Sequence, residues 1–303
     1  MKWINFLEEK FALIFALKTI LHILSYFVFF VAAQILSSLL IDEALSDLFL
    51  GAFQPVGILF EAILTVGLFI FFARIYTIKV LKLDLLFFRI PKVHTTRVWV
   101  AISLILPLVV IGVYLLFANL ETIETGTKIN AITLLNHIFV SVFAIGLVSG
   151  ITEEILFRGF LMKLLEKRWN IIVAIFIPSV VFGLIHLIDL PSIGVIDVLL
   201  LFIVGTAVGV TFSLITYFSG NIWNAVLVHS VWNILIGAEI IKISQTVSFE
   251  TPALLKYKVL NESFLWTGGS FGIEVALPAT LSFLLLILLM LVFKNRLFGI
   301  SRG

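Results

Sequence analysis

Apolar runs long enough to cross a bilayer recur along the whole chain, with short polar segments between them. A helix needs about 20 apolar residues to span the hydrocarbon core of a bilayer. Because 61% of the 303 residues are hydrophobic and only 13% are charged, a water-soluble protein could not cover its surface with polar side chains. The sequence therefore predicts an all-α, polytopic membrane protein that forms a single integral membrane domain over residues 1–303.

About eight transmembrane helices are predicted from these runs. They are Thr19–Ile41, Pro55–Ile78, Val98–Asn119, Ala131–Leu165, Ile171–Leu190, Val195–Phe218, Asn221–Ile241 and Ile273–Phe293. The first run is too long for a cleaved signal peptide and is expected to remain as a helix. The loop before the eighth helix ends in Thr267–Gly272, which contains three glycines. This segment is either a flexible connector or a re-entrant or gating element.

Lysine and arginine are distributed unevenly between the two sides of the membrane. If the N-terminus is cytoplasmic, the outer loops contain only Lys128, Lys242, Lys256 and Lys258, and the inner side has most of the others. The positive-inside rule then places both termini in the cytoplasm. The compact chain without cysteine suggests a bacterial plasma membrane. Its net charge of +2 does not indicate a nucleic-acid partner, and the lack of cysteine excludes thiol catalysis and cysteine metal sites.

Two carboxylates and an arginine lie inside the fourth apolar run, where a bilayer makes charged side chains costly. Arg158 follows Glu154 by four residues, so the two lie roughly 40° apart around a helix, in the favourable order for an ion pair. Glu153 lies about 140° from Arg158. We therefore expect Arg158 to neutralise Glu154, and Glu153 to remain available for another partner.

The fifth and seventh helices add polar groups at comparable depth. Phe182 and His186 lie one turn apart, as do His229 and Asn233. The turn between the fourth and fifth helices is expected near Trp169. Glu153 and His186 are almost equally far from this turn along the chain. Three helices can thus direct Glu153, His186, His229 and Asn233 into one cavity, with Phe182 as a wall.

Each of these groups also has a simpler interpretation. The Glu-Glu-x-x-x-Arg pattern alone is typical of an interfacial ion pair, and Asn233 alone could join two helices by a hydrogen bond. His22, His94 and His137 are interpreted as packing residues, and Glu61 has no evident partner. A proton-coupled transporter also keeps Glu, His and Arg within the bilayer, although no inverted repeat is evident. The combination of groups on three helices favours a catalytic site.

At these residues the chain resembles the CPBP family of intramembrane proteases, which includes type II CAAX prenyl proteases and bacteriocin-processing or self-immunity proteins. Its three motifs are matched in order: Glu-Glu-x-x-x-Arg by Glu153, Glu154 and Arg158, Phe-x-x-x-His by Phe182 and His186, and His-x-x-x-Asn by His229 and Asn233. The resemblance covers residues 140–240, in the fourth to seventh helices. It implies an endopeptidase that hydrolyses a membrane-associated peptide or protein in the lipid bilayer.

The resemblance also implies roles for these residues. Glu153 is the general base that takes a proton from water, and His186 positions that water. His229 and Asn233 stabilise the oxyanion, while Glu154 and Arg158 hold the fourth helix; an alternative is that Glu154 shares the catalytic role. No cofactor is expected. A zinc-dependent protease is the alternative mechanism, since one Glu and two His could bind Zn²⁺. A non-proteolytic scaffold or immunity protein is a further alternative, and the sequence does not indicate the substrate or the oligomeric state.

Overall fold

The computed structural model describes residues 2–50, 53–124, 130–189, 194–248, 250 and 252–297. Eight apolar helices, numbered here in chain order, form the described part. They are α1 (Lys2–Ser38), α2 (Gln54–Tyr76), α3 (Arg97–Phe117), α4 (Ala131–Arg168), α5 (Ile171–Ile185), α6 (Val195–Ser219), α7 (Ile222–Trp232) and α8 (Leu277–Leu297). Lys128 and Leu190 lie outside the described residues.

Six apolar segments, which correspond to α1 to α6, are long enough to cross a membrane, and the fifth, Ile171–Ile188, includes part of the 3₁₀ turn after α5. The predicted all-α polytopic fold is confirmed, and the chain is an integral multi-pass membrane protein. The predicted count of eight spans is not confirmed, because Ile222–Gly237 and the apolar part of α8, Leu277–Phe293, each have fewer than 18 residues.

Backbone conformation explains why α7 ends earlier and α8 begins later than predicted. A π-helical turn extends α7 only to Gly237, because Glu239 takes a left-handed conformation with φ 55°. Residues Ile241–Ser244 then form a strand. Gly272 has φ 97°, and a single 3₁₀ turn separates it from α8. The eighth helix therefore begins at Leu277 rather than Ile273.

A small three-stranded sheet, which the sequence analysis did not predict, lies beside the bundle. Its strands are β1 (Leu120–Thr122), β2 (Ile241–Ser244) and β3 (Leu255–Val259). The central strand β3 pairs antiparallel with β1 and parallel with β2. The sheet thereby links the loop after α3 to the long connection between α7 and α8.

The overlong fourth helix is confirmed and is not a regular α-helix. Two π-helical segments, Val140–Val148 and Ile155–Leu161, flank the α-helical stretch Ser149–Glu154. Both predicted carboxylates thus lie between two π-helical segments, a feature often found at functional sites. The helix ends at Arg168, and the Asn170 side chain caps α5 by accepting a hydrogen bond from the Val173 N–H at 3.0 Å. The predicted turn near Trp169 is confirmed.

Small residues allow the helices around the site to approach closely. A Cβ on Gly205 of α6 would lie 2.8 Å from Gly183 Cα of α5, and one on Gly150 of α4 would lie 2.1 Å from Ser230 Oγ of α7. In a bilayer, helix association depends on van der Waals packing and interhelical hydrogen bonds, so small residues at these contacts are favourable. The two contacts bring α4, α5, α6 and α7 around one centre.

Candidate active site

The Glu154 carboxylate is the centre of a buried polar cluster. Its Oε1 accepts a hydrogen bond from Arg158 Nη1 at 2.8 Å and another from His229 Nδ1 at 2.9 Å. The side chains of Glu154 and Arg158 have no exposed surface. The predicted ion pair is confirmed, whereas the contact between Glu154 and His229 was not predicted.

Arg158 connects α4 to α5 and α6. Its Nη2 donates to the Gly209 carbonyl of α6 at 3.0 Å. The guanidinium also lies over the rings of Phe182 and Phe212, at 4.6 and 5.2 Å from the centroids. Because a desolvated cation interacts favourably with an aromatic face, these contacts add to the stabilisation by Glu154.

The hydrogen bond to Glu154 determines which nitrogen of His229 carries a proton. An ionised carboxylate accepts hydrogen bonds but cannot donate them, so His229 Nδ1 is the donor. Its Nε2 is then left for other partners. The ring is only 4% exposed and stacks on Phe212, with centroids 4.7 Å apart and planes at 18°. His229 is therefore held in one orientation by one hydrogen bond and one stacking contact.

His186 begins the 3₁₀ turn that follows α5 and is oriented by the last turn of that helix. Its Nδ1 donates to the Phe182 carbonyl one turn earlier, at 2.8 Å, because a carbonyl oxygen is only an acceptor. The two rings are also in contact, with centroids 4.6 Å apart. As in His229, Nε2 is the nitrogen left for other partners. The Phe182 ring also lies 5.8 Å from the His229 ring, centroid to centroid, so it contacts both histidines.

A cavity of about 50 Å³ lies among α5, α6, α7 and the segment before α8. His186, His229, Asn233 and Glu274 are the polar side chains that line it, and Phe182 forms part of its apolar wall. This volume accommodates a few water molecules but not a peptide. Three of the four predicted catalytic residues therefore share one cavity.

Glu153, the fourth predicted catalytic residue, is not among the residues that line this cavity. It is half-buried, and its Oε2 is buried without a hydrogen-bond partner among the described residues. Its charge acts on Arg158 together with that of Glu154. The expected approach of Glu153 to His186 stays a prediction.

Asn233, which lines the cavity, also contacts α4: its Nδ2 donates to the Ile145 carbonyl at 3.3 Å.

Glu274 is a cavity residue that the sequence analysis missed. It lies in the 3₁₀ turn before α8, and its Oε2 accepts a hydrogen bond from Trp232 Nε1 at 3.3 Å. The sequence could have indicated Glu274, because it lies inside the predicted eighth span and an ionisable residue within a span is by itself an indication of function. Glu274 follows the three motifs by more than a helix length.

The Thr267–Gly272 segment forms one wall of the cavity through Phe271, whose ring lies 6.3 Å from that of His186. The Ser270 N–H donates to Asp197 Oδ1 at 2.7 Å, near the start of α6. The segment is thus anchored beside the site and is not a remote connector. A gating role stays a prediction.

The packing interpretation of the other histidines agrees with part of the structure. His22 Nδ1 hydrogen-bonds to Tyr76 Oη at 2.8 Å, whereas His94 is exposed, so the packing interpretation does not hold for it. His137 Nε2 is buried without a partner among the described residues. Glu61 lines a separate cavity, together with Gln34 and Thr65.

The donor set does not fit a zinc ion. Within the described ranges, no three His, Asp or Glu side chains are grouped so that they could hold a metal. His229 already uses Nδ1 for Glu154, and Glu153 is absent from the lining of the cavity that contains the two histidines. That the protein uses no metal stays a prediction.

The helical fold and the buried Glu–Arg–His cluster beside a cavity define a polytopic membrane protein with a polar site inside its bundle. Residues 135–235 match the family model described as Type II CAAX prenyl endopeptidase Rce1-like. This match confirms the resemblance to the CPBP family and supports a CAAX-type intramembrane protease in general. All residues of the three motifs lie inside the matched range, and Glu274 lies outside it. No curated protein matches the chain.

Proposed function

We propose that this protein is a glutamate-dependent intramembrane endopeptidase that hydrolyses a peptide bond of a membrane-associated peptide or protein. The observation that carries the proposal is the shared cavity of His186, His229 and Asn233. These residues come from the 3₁₀ turn after α5, from α7 and from the π-helical turn that follows α7. The cavity is large enough for a catalytic water, and all three side chains are polar groups that can bind water or a polarised carbonyl. A bacteriocin-processing role stays a prediction, as does the bacterial plasma membrane with both termini cytoplasmic.

In the proposed reaction, Glu153 removes a proton from the attacking water while His186 positions it. His186 donates through Nδ1 to the Phe182 carbonyl, so the lone pair of Nε2 can accept a hydrogen bond from that water. Glu153 makes no hydrogen bond through its buried Oε2 with any described residue. A buried carboxylate oxygen without a partner is costly, which is consistent with a site that binds water or substrate there.

His229 and Asn233 are the proposed donors to the oxyanion of the tetrahedral intermediate. Because His229 Nδ1 already donates to Glu154, donation from Nε2 requires a ring that carries both protons. The Nδ1 hydrogen bond to Glu154 fixes the orientation of the ring, and a donor aimed at the oxyanion stabilises it. Glu154 is thus proposed as a positioning residue for His229 as well as a partner for Arg158.

The test is cleavage of a membrane-tethered peptide library by the purified protein. Glu153→Gln should abolish cleavage while the thermal unfolding temperature stays near that of wild type. Glu166→Gln is a matched control, because Glu166 lies on the same helix but pairs with Arg89 and Lys163. Full activity of Glu153→Gln would refute the mechanism. Loss of cleavage with a zinc chelator, restored by zinc, would favour the metal-dependent alternative.

A further inference from the structure

Glu274 lies after the three motifs in the chain and lines the same cavity as residues of two of them. It precedes α8, which begins at Leu277, and lines the cavity together with His186 and His229. Its Oε1 lies beside Gly237, where an added Cβ would be 3.2 Å away, and its Oε2 receives the Trp232 N–H. A third carboxylate is thereby held at the cavity that contains the proposed catalytic histidines.

The surroundings of Glu274 favour its protonated form. Burial is the largest effect and raises the pKa of Glu274. The Trp232 hydrogen bond and the charges of His186 and His229 oppose this rise, whereas the negative charge of Glu239 adds to it. A carboxylic acid that keeps its proton near neutral pH can act as a proton donor.

Peptide hydrolysis needs such a donor. When the tetrahedral intermediate collapses, the C–N bond breaks and the nitrogen leaves as an amine only if it receives a proton. The proposed roles of Glu153, His186, His229 and Asn233 include a proton acceptor and two oxyanion donors. The proton that Glu153 takes from water is one source, but Glu153 is not among the residues that line the cavity, whereas Glu274 is.

We propose that Glu274 is a further catalytic residue, the general acid that protonates the leaving amine. This inference rests on the proposed endopeptidase function. The water loses one proton to Glu153 as its oxygen bonds to the carbonyl carbon. The C–N bond then breaks as the Glu274 proton moves to nitrogen. Transfer of the Glu153 proton to Glu274 through solvent restores both groups, so the net reaction is water plus amide to acid plus amine.

The hydrogen bond from Trp232 holds the Glu274 carboxyl group in a fixed orientation. The indole N–H donates to one carboxyl oxygen, which orients the group and leaves the other oxygen to carry the proton. Trp232 is three residues beyond His229 on α7, and its ring packs on Phe283 of α8 at 4.6 Å. Glutamine in place of Glu274 preserves the acceptor for Trp232 and removes only the transferable proton.

The experiment compares two substrates that differ only at the scissile bond, an amide and a thioester. A thiolate leaves without protonation, since the thiol has a pKa of about 8.5, whereas an amine does not. Glu274→Gln should therefore lower kcat for the amide by about 100- to 10,000-fold. We expect thioester cleavage by the same variant to stay within about tenfold of wild type, because it needs no general acid.

The outcomes separate this proposal from the proposed function. Glu239→Gln is the control, since Glu239 is close enough to affect Glu274 but its side chain is 47% exposed and pairs with Lys242. It should cleave both substrates like wild type. Equal losses for amide and thioester in Glu274→Gln would overturn the general-acid role, as would unchanged amide cleavage. If wild type cleaves neither substrate, the endopeptidase proposal itself fails.

Discussion

Glu154 and His229 are joined by a hydrogen bond of 2.9 Å between α4 and α7, and the same carboxylate oxygen accepts the Arg158 bond at 2.8 Å. One buried anion thus compensates a buried cation and orients a histidine of the cavity. The two motifs that contribute these residues are separated by α5 and α6 in the chain. Their roles are consequently coupled, and a change to one should be visible in the other.

Glu154→Gln should lower both stability and activity. It leaves the buried Arg158 charge uncompensated, which typically costs about 3 kcal/mol or more in the free energy of unfolding. The double variant Glu154→Gln/Arg158→Met should recover much of this stability, because no unpaired charge remains. Activity should not recover, because His229 still lacks its anionic partner. Thermal unfolding and cleavage assays on the same preparations test both parts, and recovery of activity in the double variant would contradict the role assigned to Glu154.

Gly150→Ala should separate α4 from α7. Its Cβ would lie 2.1 Å from Ser230 Oγ and 3.1 Å from Ser230 Cα, and overpacking of this kind typically costs about 1–3 kcal/mol. We expect a lower unfolding temperature and reduced cleavage, since the Glu154–His229 bond joins the same two helices. Adding Ser230→Gly should restore part of both. Gly67→Ala is the control, because no atom lies within 4 Å of its added Cβ.

Asn233→Ala should remove one proposed oxyanion donor. Loss of one such donor typically lowers kcat by about 100- to 1,000-fold. The expected change in KM is small, because the oxyanion forms only in the transition state and the intermediate. Asn233 makes one long hydrogen bond, to the Ile145 carbonyl at 3.3 Å, so the unfolding temperature should change little. A large rise in KM with unchanged kcat would assign Asn233 to substrate binding instead.

Glu274→Gln should change how stability depends on pH. Burial raises the pKa of Glu274 in the folded protein, whereas an unfolded glutamate has a pKa of about 4.3. The folded state therefore holds this proton more tightly, and wild-type stability should fall as pH rises from about 4 through the folded pKa. Glutamine does not titrate, so the unfolding temperature of the variant relative to wild type should increase over this range. A difference that is constant with pH would contradict a raised pKa.

The sequence was most informative where a local rule applied. Glu154 and Arg158 are four residues apart on one helix, so their ion pair could be predicted from helix geometry alone. The turn near Trp169 and the overlong fourth helix could be predicted for the same reason, since both depend on residues close in the chain. The end of α7 could not, because the left-handed conformation of Glu239 has no strong signal in the sequence.

Contacts between distant segments required the tertiary structure. The sequence by itself determined a multi-pass helical membrane protein, because the bilayer requires long apolar helices, and it supplied the three motifs. Only the tertiary structure brought His229 to Glu154 and placed Glu274 and Phe271 at the cavity with His186. These contacts depend on how closely the helices approach at Gly150 and Gly205. Packing between segments far apart in the chain sets both distances.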